Sequence, residues 1–148
     1  MAAAATFALP RVAGYDFETG ADLANPAERA ELSSAAIRGF LQIAKKWQLN
    51  EEQSRALLGG VASSTFHAWK SNPKRTLDQD TLTRISLVIG IYKALNIYFG
   101  KPWADRWITL ENRGPLFSGR TPLSFMMQRG QPGMVEVRRM LDAWRGGR

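Results

Sequence analysis

The sequence predicts an all-α protein. Apolar residues recur at spacings of three and four over most of the chain, which is the period of a helix with one buried face. No segment sustains the alternation of apolar and polar residues that is typical of a half-buried strand. Capping residues, prolines and glycines separate the helical segments. With 148 residues, 45% of them apolar, the chain is long enough to bury a core of its own.

Composition and charge exclude several classes of protein. The chain has no cysteine, which excludes a disulfide framework, a thiolate metal site and a cysteine nucleophile. The formal net charge is +7. Residues 31–75 carry seven bases and three acids, and residues 101–148 carry nine bases and four acids. Such basic segments attract nucleic acid, acidic proteins or anionic lipid, and charge alone does not choose among these partners.

The sequence also bears on location. The N-terminal segment lacks the basic region and the long apolar run of a secretory signal. The most apolar stretch, residues 85–99, is interrupted by Lys93 and bounded by Arg84, so it is too short and too charged to span a bilayer. We therefore expect a cytoplasmic protein that makes no membrane contact.

The first helix is expected to follow a flexible N-terminal arm. Residues 1–30 are rich in alanine and contain prolines, glycines and few large apolar residues, which predicts an arm rather than a folded element. Helical spacing begins with Ile37 and Phe40. Ser33 or Ser34 precedes this stripe and is suited to be the N-cap of the helix.

Two short helices and one long helix are predicted next. Asn50 is the expected N-cap of the second helix, and the pair Gly59-Gly60 is expected to end it. A third helix is predicted over residues 63–70, because a proline follows at position 73 and disfavours a helical conformation in the residue before it. The fourth helix is expected to run from a cap at Asp78 to about Tyr98. It is apolar nearly all round, which predicts that it is buried or packs against a second chain.

The C-terminal segment is predicted to contain two more helices. Thr121 is the expected N-cap of a helix over residues 122–129, with proline at the favoured first position. A turn over residues 130–133 and a last helix over residues 134–144 are expected to follow. The apolar stripe of that helix comprises Met134, Val137, Met140 or Leu141, and Trp144. It either packs on the fourth helix or meets a partner protein in part.

The second and third helices have the pattern of a helix-turn-helix. Ala56 is the small residue at the helix crossing, Gly60 forms the turn and Val61 is the first apolar anchor. Phe66 and Trp69 are expected to face inward from the third helix, which is the recognition helix of such a motif. The predicted DNA-binding residues are Ser63, Ser64, Thr65, His67, Lys70, Lys74 and Arg75. Hydroxyl groups reach base edges and phosphates, and the basic residues, joined by lysines 45 and 46, suit phosphate contacts. Because arginine, asparagine and glutamine are absent from this helix, weak or indirect sequence readout is expected.

The segment GVASSTFHAW resembles the G-V-S-x-x-T-[IV]-S-x-W pattern of Xre-type, Cro/repressor-like helix-turn-helix proteins, with Phe66 in place of isoleucine or valine. The segment WITLENRGPLFSGRTPLSFMMQRGQPGMVEVRRMLDAW resembles the toxin-binding domain of the MbcA/ParS/Xre antitoxins. The matching positions are Trp107, Asn112, Phe117, Gly119, Thr121, Pro122, Gly130, Val137 and Leu141. The loop over residues 112–115 departs from the family, many of whose members have proline near the asparagine.

These resemblances cover residues 33–148 and imply a domain organisation and a function. The domains would be the N-terminal arm (1–30), an Xre-like helix-turn-helix with the long helix (31–100) and a C-terminal toxin-binding domain (101–148). The implied function is that of the antitoxin of a type II toxin–antitoxin pair. Its partner would be a RES-domain toxin that hydrolyses NAD or ADP-ribosylates a cellular target. The antitoxin would cover the active site of the toxin and repress its own operon by binding operator DNA.

The predicted toxin-binding residues are Met140, Trp144, Arg145, Gly146, Gly147 and Arg148. In this interpretation Trp144 anchors the last helix at the mouth of the toxin cleft, and the four residues after it form a flexible tail that enters the cleft. Glycine allows such a path because it has no side chain to clash. Arg148 would then engage carboxylates of the toxin, while its terminal carboxylate would occupy a phosphate position of NAD.

Other functions remain open from the sequence. One alternative is a stand-alone transcriptional regulator whose C-terminal helices dimerise or bind a small ligand, and another is a structural adaptor with no role on DNA. An enzyme is not expected, because the single histidine, His67, has no apparent partner and no nucleotide-binding fingerprint is present. No cofactor or metal is expected either. Self-association, as a homodimer or within a toxin–antitoxin hetero-oligomer, is expected from the apolar fourth helix and from the two half-sites that such motifs usually bind.

Overall fold

The computed structural model describes the backbone of residues 21–147 and the side chains of residues 21–144. Over this range the prediction of an all-α fold is confirmed, and no strand is present. The helices are α1 (Pro26–Lys46), α2 (Glu51–Leu57), α3 (Ser63–Ser71), α4 (Gln79–Tyr98), α5 (Trp103–Arg106), α6 (Pro122–Arg129) and α7 (Gln131–Gly147), with a 3-10 helix at Trp107–Thr109 after α5. The predicted flexibility of residues 1–20 lies outside the described residues.

Helix α1 begins earlier than the sequence pattern predicts. Its N-cap is Asn25, whose side chain accepts a hydrogen bond from the backbone of Ala27, and Pro26 occupies the first helical position. The prediction of Ser33 or Ser34 as the N-cap is therefore wrong. An asparagine followed by proline is itself a helix-start signal, but it lies within the segment predicted to be an arm. The expected arm and the first helix thus overlap by five residues.

The helix-turn-helix prediction is confirmed in its local geometry. Asn50 and Gln53 form a reciprocal capping box at the start of α2, with hydrogen bonds of 2.7 and 2.9 Å. Gly59 and Gly60 both have positive φ, at 95° and 83°, which glycine adopts without strain. Helix α3 then packs its apolar side inward, with Phe66 and Trp69 buried.

Helix α4 is the central element of the core. Its N-cap is Asp78, as predicted, and its carboxylate accepts a hydrogen bond from the backbone of Thr81 at 2.7 Å. Twelve of its twenty residues are buried. The neighbours that cover it are α1 from the N-terminal half of the chain and α5 and α7 from the C-terminal half. The apolar circumference of α4 is thus covered within one chain, so it gives no support to the expected packing against a second chain.

Helices α6 and α7 meet at a sharp corner. Thr121 caps α6 as predicted, accepting a hydrogen bond from the backbone of Ser124 at 3.0 Å. The predicted four-residue turn after α6 is wrong, because Gly130 alone, with φ at 69°, reverses the chain and α7 begins at residue 131. Pro132 lies in the first turn of α7, where its missing N–H costs no helical hydrogen bond.

No helix within residues 21–147 is long and apolar enough to cross a membrane.

A series of edge-to-face aromatic contacts helps to hold the C-terminal half together. Phe117 lies 5.4 Å from Phe125 and 5.7 Å from Trp107, measured between ring centroids. These aromatic contacts lead from the fully buried Phe125 towards the surface beside α7.

Candidate functional site

Five of the predicted DNA-binding residues lie together on the solvent side of α3. They alternate with the inward-facing Phe66 and Trp69, so that α3 presents one polar face while the other face locks it to the core. The exposed residues are Ser63, Ser64, Thr65, His67 and Lys70. The structure thus places short hydroxyl side chains at the N-terminal end of α3, where a recognition helix contacts base edges.

The two predicted residues after α3 differ from one another. Lys74 is exposed. Arg75 is half-buried, and its Nε donates to the backbone carbonyl of Asn72 at 3.0 Å. A second guanidinium nitrogen lies 3.5 Å from the carbonyl of Ala68. Arg75 therefore binds carbonyl groups at the C-terminal end of α3, whereas the side chain of Lys74 remains available to a phosphate.

An acidic residue in the first turn of α2, Glu51, lies against this face. Oε2 of Glu51 accepts a hydrogen bond from the Ser63 hydroxyl at 2.6 Å, and its Oε1 lies 2.9 Å from Nε2 of His67. The Ser63 hydrogen bond, followed by the positive charges that His67 and Arg55 can carry, outweighs partial desolvation and lowers the pKa of Glu51 below its usual 4.5. We call Glu51, Ser63 and His67 the Glu51 cluster.

Arg55 approaches the same carboxylate from the next turn of α2. Its Nε lies 3.3 Å from Oε2 of Glu51, which is an ion-pair distance but not a well-aligned hydrogen bond. One of its terminal nitrogens donates to the carbonyl of Val61 in the turn at 3.2 Å. Arg55 thus connects α2 to the turn that positions α3.

A cleft of about 450 Å³ opens beside the Glu51 cluster, between the end of α1, the start of α2 and α3. Its apolar lining includes Leu41, Leu49 and Phe66. Lys45 and Lys70 line it as well, and the ammonium of Lys70 lies 5.5 Å from the centre of the Phe66 ring. The exposed Lys45 and Lys70 therefore provide positive charge at the same surface as the exposed face of α3.

The apolar stripe of α7 divides between the core and the surface. Met134, Val137 and Leu141 are fully buried, and α7 makes its most extensive contacts with α4. Met140 and Trp144 are only half-buried. The expectation that the stripe packs on the fourth helix therefore holds for Met134, Val137 and Leu141, whereas Met140 and Trp144 retain exposed surface.

Trp144 belongs to a group of aromatic side chains that extends from the buried Trp107 to the surface. Its ring lies 5.2 Å from Tyr98 and 6.2 Å from Trp107, and the ring of Phe99 lies 4.9 Å from Tyr98. Tyr98 is 48% exposed and Phe99 is 38% exposed. We call Tyr98, Phe99, Trp107 and Trp144 the aromatic cluster. Nearby in the chain, Trp103 of α5 is 55% exposed.

Comparison with known families matches both halves of this architecture. Residues 26–90 match the antitoxin Xre-like helix-turn-helix domain, and residues 94–147 match the antitoxin Xre/MbcA/ParS C-terminal toxin-binding domain. The chain belongs to the Xre/MbcA/ParS antitoxin family. The boundary between the two matches falls within α4, so this antitoxin uses one continuous helix to join its two domains.

The antitoxin is also similar to a protein of Sinorhizobium fredii (strain NBRC 101917 / NGR234) described as "Uncharacterized protein y4oB". The two sequences are 36% identical over 124 residues, which cover 83% of this chain and 94% of the relative. The similarity therefore extends over both domains rather than over the helix-turn-helix alone.

The structure alters the expectation for the C-terminal tail of the antitoxin. Helix α7 extends to Gly147, so the backbone of residues 145–147 is helical instead of forming a flexible tail after Trp144. Arg148 lies outside the described residues. Sequence analysis missed Tyr98 and Phe99 as surface residues, because an apolar pair at the end of an apolar helix has the same pattern as the core. The only signal was Gly100, which ends the helix.

Proposed function

We propose that this antitoxin neutralises a RES-domain toxin, an enzyme that hydrolyses NAD or ADP-ribosylates a cellular target, by covering its active site with the C-terminal end of α7. We further propose that it acts in the cytoplasm and represses its own operon through α3. In this proposal the toxin supplies all of the catalysis and the antitoxin supplies none.

The aromatic cluster is the observation that most directly supports docking of the toxin. Aromatic side chains at a surface bury a large area on binding and are enriched among the residues that dominate interface energies. Trp144 contacts Tyr98 at a tilt and Trp107 edge-to-face, so its ring is already held in place before a partner binds. We propose that Trp144 and Met140 anchor the complex, with Tyr98, Phe99 and Trp103 extending the contact surface.

The last turn of α7 supports the covering of the active site. Residues 145–147 continue the helix past Trp144, away from the anchored part of the stripe. Gly146 and Gly147 lack side chains, which allows this turn to come close to the surface of a partner. We propose that this turn and Arg148 enter the active site, the guanidinium meeting carboxylates and the terminal carboxylate taking a phosphate position of NAD.

The test isolates the protein that co-purifies with this chain from its own host and assays its consumption of NAD. Deleting residues 145–148 is expected to restore NAD consumption while the truncated chain still co-purifies with the toxin. Trp144→Ala is expected to weaken the complex itself by about tenfold or more, as loss of an aromatic anchor does. Glu136→Gln, at an exposed position of α7, is the control and should change neither property. Full inhibition by the truncated chain would contradict the covering mechanism.

The exposed face of α3 supports the proposed repression. Ser64, Thr65 and Lys70 point away from the core, and Lys45 lies at the neighbouring cleft. Phosphate contacts by these lysines release counterions from DNA, so binding to the operator should weaken steeply with added salt. A chain that co-purifies with no toxin but binds DNA in this manner would instead support a stand-alone regulator.

A further inference from the structure

The recognition helix is held by the protein's own carboxylate. Ser63 and His67 stand one turn apart on the exposed face of α3, and both contact Glu51 of α2, at 2.6 and 2.9 Å. These are two of the side chains proposed to contact DNA. Their polar groups are thus occupied by an intramolecular acceptor when no DNA is bound.

The same carboxylate places a negative charge where phosphates would approach. Arg55 and His67 are the basic groups closest to it, and Arg55 also binds the carbonyl of Val61 in the turn. Lys45 and Lys70 line the adjoining cleft together with Glu51. The charge of Glu51 therefore opposes the attraction of these lysines for DNA, and an exposed carboxylate near the phosphate backbone repels it at any base sequence.

We infer that Glu51 restrains DNA binding by the helix-turn-helix: it holds Ser63 and His67 in place of DNA and repels the phosphate backbone. This inference rests on the proposed role of α3 in DNA binding. Binding then requires the Glu51 side chain to release both residues. The restraint favours DNA sites whose base contacts compensate for the broken Glu51 contacts, and it disfavours binding to DNA of random sequence.

A neutral substitution tests the restraint directly. Glu51→Gln removes the charge but keeps a side-chain oxygen that accepts the Ser63 hydrogen bond, so the local fold is preserved. Glu52→Gln is the matched control, because Glu52 is the next residue in the first turn of α2, is exposed and changes the net charge equally. Within the described part of the chain, Glu51 forms a hydrogen bond and an ion pair with α3, whereas Glu52 forms neither with α3.

Binding is measured on the full chain by fluorescence anisotropy with a labelled duplex of mixed sequence. At low salt Glu51→Gln is expected to bind about fivefold more tightly than the unsubstituted chain, and Glu52→Gln within about twofold of it. The advantage of Glu51→Gln should shrink as salt is added, because repulsion between charges at a surface is screened. Thermal unfolding of both variants, followed by circular dichroism, tests whether they remain folded.

Three outcomes would overturn the inference or its basis. If Glu51→Gln binds no more tightly than Glu52→Gln, the effect is one of net charge and Glu51 has no special role. If Glu51→Gln binds more weakly, the carboxylate organises the surface or accepts a hydrogen bond from a base, as carboxylates do from cytosine. If no form of the chain binds duplex DNA, the proposed DNA-binding function fails along with the inference.

Discussion

A single serine hydroxyl connects the first helix to the segment that leads into the central helix. The Ser33 hydroxyl is fully buried, donates to the carbonyl of Arg29 at 2.6 Å and accepts from the backbone N–H of Leu77 at 2.9 Å. The carbonyl of Leu77 accepts from Nε of Arg29 at 3.0 Å. Both backbone polar groups of Leu77 are thus satisfied by α1, which fixes the chain just before α4 begins.

Ser33→Ala is expected to destabilise the protein by about 1–3 kcal/mol, because it leaves the buried N–H of Leu77 without its acceptor. Ser34→Ala is the matched control: its hydroxyl accepts only an exposed hydrogen bond from Arg38, and its loss should cost less than about 0.5 kcal/mol. Urea unfolding of the two variants measures the difference. Equal losses of stability would show that the Ser33 hydrogen bonds are not what holds this segment.

The distance along the chain decides which of these residue roles the sequence predicts. The caps Asn50, Asp78 and Thr121 act on the residues that follow them, so local pattern was enough to find them. Ser33 and Glu51 act on residues 44 and 12 positions away. Such contacts depend on how helices pack, and neither residue carries a local signal of its partner.

At the scale of elements, the corner between α6 and α7 brings the two helices close together at a glycine. A Cβ atom at Gly133 would lie 2.5 Å from Cβ of Arg129 and 3.4 Å from a ring carbon of Phe125. Both neighbours belong to α6, and the nearer atom lies next to the backbone, where it cannot turn aside. The closeness of α6 therefore requires glycine at position 133. The backbone conformation does not, because φ at Gly133 is not positive.

Gly133→Ala is expected to destabilise the antitoxin by about 1–3 kcal/mol, since the two helices must move apart to admit the methyl group. Gly90→Ala on α4 provides the comparison. The three atoms nearest to a Cβ there belong to the guanidinium of Arg138, the far end of a flexible side chain, and alanine is the better helix former. Thermal unfolding should therefore rank Gly133→Ala as the less stable variant. The reverse order would show that α6 and α7 adjust freely at their corner.

The same corner explains which element boundaries the sequence predicted. The limits of α2, α3, α4 and α6 were found to within one or two residues, because each has a cap or a breaker next to it. The start of α7 was missed because Pro132 stands between two glycines, a pattern typical of a turn, yet proline also fits the first turn of a helix. The start of α1 was missed in the same way, since Pro26 was assigned to the arm.

At the scale of the whole molecule, α4 belongs to both functional halves. The pattern of α4 predicted burial correctly but did not identify its neighbours, because an apolar surface has no preference for its own chain over a second one. Helix α1 of the helix-turn-helix domain covers α4 on one side, and α7 of the toxin-binding domain covers it on another. The buried apolar residues of the described chain accordingly form one continuous cluster.

A shared core predicts that the two halves unfold together. Helix content followed by circular dichroism should give the same thermal transition as tryptophan fluorescence, to which Trp47 and Trp69 contribute from one half and Trp103, Trp107 and Trp144 from the other. Ile89→Ala, in the middle of α4, is expected to lower stability by about 2–5 kcal/mol and to shift both signals equally. Two separate transitions would mean that the two halves unfold independently. Coincident transitions would imply that a change in the core of α4 weakens DNA binding and toxin binding together, whereas surface substitutions such as Trp144→Ala separate the two.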